Sequence, residues 1–236
     1  DLMTQELPSA VGAIEGSAEG LAHSVTPMLE IDAQVANHGS GFAPNIIPVA
    51  LWLGAGIAAF LVHLRLLPRA AQGFSSVALF AGKVSMPATI VLLQAAGVLF
   101  TLQLVLGITV AHPFWLACML AVASLTFVCI VYALTRAFGD AGKALAMLFL
   151  ALQVSASGGV LPVELSGSLY AHLSPLLPMT WVVMGMKACM FHAFDGDWQT
   201  PMWVTLGWGV ASASVACAVG TWRFVPLRRI RPMLDV

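Results

Sequence analysis

Five long apolar runs divide the chain: Asn45 to Leu66, Val84 to Val110, Phe114 to Thr135, Ala144 to Val163, and Met202 to Trp222. Each reaches the length of about 20 residues that a helix needs to cross a hydrocarbon core about 30 Å thick. Arg65 alone among Asp, Glu, Lys and Arg falls within them. It stands at the extreme end of the first run, where its stem can lie along lipid while the guanidinium reaches water. The pattern predicts an all-α membrane protein with five transmembrane helices over residues 45–236.

Residues 1–44 read differently. They hold Glu6, Glu15, Glu19, Glu30 and Asp32 and no Lys or Arg. Leu7, Val11, Ile14, Ala18 and Leu21 alternate spacings of four and three, the seam of a short coiled coil or the apolar face of a lone amphipathic helix. Pro27 and the run from Asn37 to Gly41 then interrupt regular structure. This segment is expected to be the end of a partly helical extracytoplasmic region. The stretch 166–194, between the fourth and fifth runs, is too apolar for a plain loop, with Leu173, Leu176, Leu177, Trp181, Met184, Met186 and Met190 punctuated by Pro175 and Pro178. It predicts a hairpin of two short helices dipping into the interface, with an interfacial amphipathic helix as the plainer alternative.

Charge sets the orientation. Every Lys and Arg except Lys187 falls on one side of the five spans, and every acid except Asp140 and Asp235 falls on the other. Basic residues concentrate in short cytoplasmic loops, so the amino end is expected outside and the carboxyl end in the cytoplasm. With an outside start and five spans, a further helix upstream of Asp1 is expected. Composition agrees with the bilayer as solvent: 59% of residues are hydrophobic and 9% charged, against about 25% charged in a soluble domain. Cys118, Cys129, Cys189 and Cys217 have no CxxC spacing, so neither a disulfide framework nor a zinc site is expected.

Candidate chemistry is sparse. No GxxxxGK[ST] or HExxH occurs, so the chain holds neither a P-loop nor a zinc-protease site, and neither an enzyme nor a cofactor is expected. Ser157 beside Gly158 reads as a helix break, since nothing orients a catalytic base toward it. The spans carry no ionisable side chain at mid-depth, where coupled transporters place them. Gln94, Gln103, Gln153, Thr101, Thr109, Ser124, Thr126 and Ser155 could line a weakly polar path, but interhelical hydrogen bonding is the better expectation. Gly158, Gly159 and Pro162 free backbone groups at the end of the fourth span, making that end with Glu164 a candidate outer gate. Gly54 with Ala58, and Gly207, Gly209, Ala211 and Ala213, form small-residue faces for helix packing within the bundle or across a dimer. Between the first two spans, Phe74, Val77, Phe80 and Lys83 outline either a coupling helix for an ATPase or a helix held on anionic lipid. The arginines Arg228, Arg229 and Arg231 read as a topology anchor, and no nucleic-acid partner is expected.

Two stretches carry a family resemblance. The first is Asn37-His38-Gly39-Ser40-Gly41-Phe42-Ala43-Pro44 running on to Ala55. The second is Ser155-Ala156-Ser157-Gly158-Gly159-Val160-Leu161-Pro162-Val163-Glu164-Leu165, continued by Leu173-Ser174-Pro175-Leu176-Leu177-Pro178-Met179-Thr180-Trp181 to Lys187. Together they resemble the carboxy-terminal membrane domain of the YhgE/Pip (phage infection protein) family, within the type-2 ABC exporter permeases. The resemblance implies a dimeric or pseudodimeric permease of the bacterial inner membrane, worked by a separate ATPase and exporting something hydrophobic, lipid-like or peptide-like. Its alternative is a non-transporting anchor for an extracytoplasmic stalk. Lys187 where Arg is commoner, Ser168 in place of Pro, and the short loop from Arg65 to Lys83 depart from the family pattern.

Overall fold

A computed structural model describes residues 38–62, 66–157, 172–219 and 223–225. The expected extracytoplasmic helix at residues 7–21 and the gate residues Gly158, Gly159, Pro162 and Glu164 lie outside them. Six helices make the described part: α1 His38–Leu61, α2 Ser76–Phe100, α3 Pro113–Phe138, α4 Asp140–Ala156, α5 Pro178–Phe191 and α6 Gln199–Ala218. Three stretches, Gly39–Leu61, Ser76–Val105 and Pro113–Phe138, are long and apolar enough to cross a membrane. The fourth and fifth predicted runs are occupied by α4 and α6, of 17 and 20 residues.

α3 is the central element, buried along much of its length and packed by α1, α2, α4, α5 and α6. The core gathers on it: Trp52 and Leu51 from α1, Val91 from α2, Phe127 and Tyr132 from α3 itself, and Met179 and Met186 from α5. Lipid is as apolar as these side chains, so the bundle is held by close packing and interhelical hydrogen bonds rather than by escape from water. The indole of Trp52 donates to the Ala146 carbonyl at 3.2 Å. Gln94 donates from Nε2 to the Ala50 carbonyl at 2.8 Å, and Thr126 to the Thr205 carbonyl at 3.0 Å. Gly54 makes the Gln94 joint possible, because a Cβ there would collide with the Gln94 carboxamide.

α1 begins at His38, so the run to Gly41 that was expected to interrupt regular structure is helical. Two further features depart from the sequence expectations. α2 begins at Ser76, so Val77, Phe80 and Lys83 occupy its first two turns and form no separate coupling helix. Gly73, with φ of 95°, turns the chain, and Ser75 then caps the helix by accepting from the Ala78 N–H at 3.3 Å. The same helix closes in a π turn over Thr101–Val105, five residues short of the predicted end at Val110. The second departure is a short sheet. β1, Leu66–Pro68, pairs in parallel with β2, Arg223–Val225. Each strand follows a helix, so parallel pairing brings the carboxyl ends of α1 and α6 to one face. α3 ends there too, since Arg136 Nε donates to the Val219 carbonyl at 2.7 Å. Arg69, Lys83, Arg136 and Lys143 thus gather at one end of the bundle, while Lys187, Asp195 and Asp197 belong to the other.

At that other end Asp197 starts α6. Its Oδ1 accepts from the Gln199 and Thr200 N–H groups at 3.1 and 3.2 Å. The hydrogen bond from the Thr200 side chain, helped by these backbone donors, holds the carboxyl below its ordinary value of 3.8. A carboxylate with a depressed folded value stabilises above the unfolded value and loses that contribution as pH falls through the folded one. Amide protection at Gln199 and Thr200 is therefore expected to decline below pH 3.8, with Asp197→Asn showing no such pH response by hydrogen exchange.

Candidate functional site: the α4–α5 corner

α4 ends at Ala156, seven residues before the expected end of the fourth span at Val163, and residues 158–163 lie outside the described ones. Ser157 is the C-terminal cap of α4, and its hydroxyl donates to the Val154 carbonyl at 3.3 Å. Ser155 makes the same backward bond to Ala151 at 3.0 Å, a habit that loosens a helix near its end. After the chain returns, Pro175 lies in a 3-10 turn over Ser174–Leu176, and Pro178 is the first residue of α5. Both prolines suit their places, since the first turn of a helix needs no N–H and proline brings its φ already set. Three bonds lock the corner. The Trp181 indole donates to the Pro175 carbonyl at 2.9 Å, and the Ser174 and Thr180 hydroxyls lie 3.2 Å apart. Gln153 reaches across from α4, its Oε1 accepting from the Met179 N–H at 3.2 Å.

That last contact defines the site. Gln153 is fully buried and caps α5 from a different helix, satisfying one of the amides that every helix start leaves open. Its Nε2 has no hydrogen-bond partner. A buried donor left unmade costs about 1–3 kcal/mol, so the carboxamide gains one bond at the expense of another. Replacing Gln153 by leucine removes both, and thermal stability in detergent is expected to change by less than about 1 kcal/mol despite full burial.

α5 itself is no surface helix. Met179, Val182, Val183, Met186, Cys189 and Met190 are among its buried residues, and its neighbours are α1, α3, α4 and α6. Trp181, Met184, Lys187 and Phe191, three and four residues apart, make up its one partly exposed face. Its far end is tied to the start of α3, where the Ala111 and His112 N–H groups donate to the Met190 and Cys189 carbonyls at 3.1 and 2.9 Å. His192 closes α5 in the left-handed conformation, and its ring lies 5.6 Å from that of His112. Trp115 stacks on Trp198 at 3.7 Å beside them, an aromatic cluster of the kind found at a membrane boundary.

The other singled-out residues scatter. Gly54 and Ala58 face neighbours inside the bundle, and Gly209 lies against Thr126, whereas Gly207 meets nothing within 4 Å and Ala211 is exposed. Ala213 is half-buried. Phe80 packs edge-on against Tyr132 at 5.2 Å while Phe74 and Val77 stand exposed. Of the interior polar side chains, Gln94 and Thr126 bond across helices, and Thr101, Ser124 and Ser155 bond back to their own helix. The sequence does not mark the capping role of Gln153, whose partner Met179 lies 26 residues away.

Fold and corner together define an apolar, membrane-type helical protein with a short helix buried among long ones. The chain is 29% identical over 196 residues to the uncharacterized protein YhgE of Bacillus subtilis (strain 168), a match spanning 83% of this chain. The match takes in 24% of that relative's length, so the chain spans about a quarter of the curated protein it resembles. No family model and no solved structure matches the chain.

Proposed function

We propose that the chain is the membrane domain of an exporter permease of the type-2 ABC kind, moving a hydrophobic, lipid-like or peptide-like cargo with a separate ATPase. In this reading α1, α2, α3, α4 and α6 are five spans in a bacterial inner membrane, and two copies pair. The end bearing Arg69, Lys83, Arg136 and Lys143 faces the cytoplasm. The observation that carries the reading is α5. Its 14 residues reach about 21 Å, too short for a core about 30 Å thick, yet it is buried in the bundle and begins at a proline-marked break. Irregular backbone at membrane depth is tolerated only where protein buries it or a cavity lines it, which is the construction of substrate pathways. The half-bonded Gln153 sits at that break, a polar group held at a cost that packing alone does not explain.

The test is purification of the intact protein in detergent, scoring co-elution with an ATPase and stimulation of hydrolysis by lipid-like molecules. Gln153→Leu should lower that stimulation without lowering stability. A second reading, an anchor for an extracytoplasmic stalk, is favoured by one observation: Gln94, Thr101, Ser124, Thr126 and Ser155 are all committed to structural hydrogen bonds. It gains if no ATPase accompanies the protein and Gln153→Leu is silent in every assay.

A further inference from the structure

At the end of the bundle that carries Asp195 and Asp197, two imidazoles from distant parts of the chain come together. The His112 and His192 rings lie with centres 5.6 Å apart and planes tilted by 50°. Packing alone brings rings closer and flatter a few residues away, where Trp115 stacks on Trp198 at 3.7 Å and 19°. Among the described residues neither imidazole takes part in a hydrogen bond or ion pair, so the ring nitrogens are left for another partner. Metal–nitrogen bonds of about 2.0–2.1 Å place the centres of two imidazoles on one ion about 5–6 Å apart, and the observed spacing falls within that range.

Both residues are held in place by the fold itself. His112 is the N-terminal cap of α3, and its N–H donates at 2.9 Å to the Cys189 carbonyl in the last turn of α5, beside the bond from Ala111 to Met190 at 3.1 Å. His192 caps that same turn, with φ of 57°. The chain then folds back over the His192 ring, since a Cβ on Gly196 would come 2.5 Å from its Cε1. Phe194 and Asp195 on the way both hold φ of 55°, a left-handed conformation that is costly for a bulky side chain and clusters at functional sites. Residues 192–222 include Asp195 and Asp197 and no Lys or Arg, which favours a cation.

We propose that His112 and His192 together bind one divalent late transition-metal ion, of the Cu²⁺ and Zn²⁺ kind, with water completing its coordination. Imidazole suits these ions, and His192 is exposed enough for water to reach them. Among the described residues no group of three His, Cys, Asp or Glu side chains gathers to hold a metal, so this ion is exchangeable and not structural. Bound there, it clasps the end of the short helix α5 to the start of the central α3. The proposal is independent of the exporter reading.

The test titrates the intact purified chain in detergent, without a polyhistidine tag and stripped of metal, with Zn²⁺ and separately with Cu²⁺ by isothermal calorimetry. One ion per chain is expected, with Cu²⁺ binding more tightly than Zn²⁺. His112→Gln and His192→Asn should each weaken Zn²⁺ at least tenfold, and the double variant should lose little more than the weaker single, since both ligands serve one ion. Asparagine tolerates the left-handed conformation at 192, and equal melting midpoints without metal verify that both variants fold. Zn²⁺ should raise the midpoint of wild type and of neither variant, because only the folded chain brings the two rings together. His172→Gln, outside the pair, should bind as wild type does. Wild-type affinity in both single variants would mark an adventitious ion and overturn the proposal. So would the absence of binding, or one ion shared between two chains.

Discussion

Gly142→Ala is expected to part α4 from α3 and destabilise the protein by about 3 kcal/mol or more, at or beyond the upper end of overpacking costs. The reason lies in how the two helices meet. α3 ends at Phe138, Gly139 takes φ of 68° and ψ of −131°, and α4 begins at Asp140 with almost no loop between. Its first turn therefore rests on the last turn of α3, backbone on backbone. A Cβ on Gly142 would strike the Leu134 carbonyl and come 2.8 Å from the Thr135 Cα. Neither is the end of a flexible side chain, so nothing can swing aside and the helices must separate. Separation would also loosen Lys143 of α4 from Phe60 of α1, whose ring it overlies at 5.6 Å. Gly82→Ala is the control. That glycine lies inside α2 with nothing within 4 Å, so alanine should be neutral or stabilise by up to about 1 kcal/mol. Thermal unfolding of the two variants in one detergent, followed by loss of the monodisperse elution peak, decides the point. Equal midpoints would show that the α3–α4 contact is not tight.

That contact illustrates what could be read in advance. Hydropathy located a helix at each of the five apolar runs, because the length of an uncharged run is a local property of the chain. Ends proved harder: α2 starts eight residues before its run since Ser75 caps it and the exposed Phe74 and Val77 cost little where lipid meets water. Long-range pairing was out of reach. Nothing in Leu66–Pro68 or Arg223–Val225 speaks of a strand, since three residues carry no period and their pairing depends on where α1 and α6 end. At the corner, Pro175 and Pro178 advertised a break because proline acts through its own ring. Gln153 advertised nothing, because its role depends on Met179, 26 residues away, arriving opposite it.

Trp52→Ala is expected to cost about 3 kcal/mol, the lower end of the range for a buried aromatic, because surrounding lipid cancels the transfer part of the penalty and leaves the packing part. Trp52 is fully buried at the meeting of α1, α3 and α4. Its ring stands edge-on to Phe127 at 5.0 Å and to Phe149 at 5.6 Å, and its Nε1 holds the Ala146 carbonyl. One side chain thus fastens three helices by shape and by a hydrogen bond in surroundings with no water to replace it. The two contributions can be separated. Trp52→Phe keeps an aromatic edge but forfeits the hydrogen bond and some volume, so it should lose about 1–2 kcal/mol. Phe149→Ala alone should cost less than Trp52→Ala, since Phe149 is only partly buried. Combining Trp52→Ala with Phe149→Ala should cost less than the sum of the two, because the second change removes a partner already lost. Strict additivity in that cycle, measured as unfolding midpoints in mixed micelles, would mean that the two rings act independently and that α1 is held to α4 by other contacts.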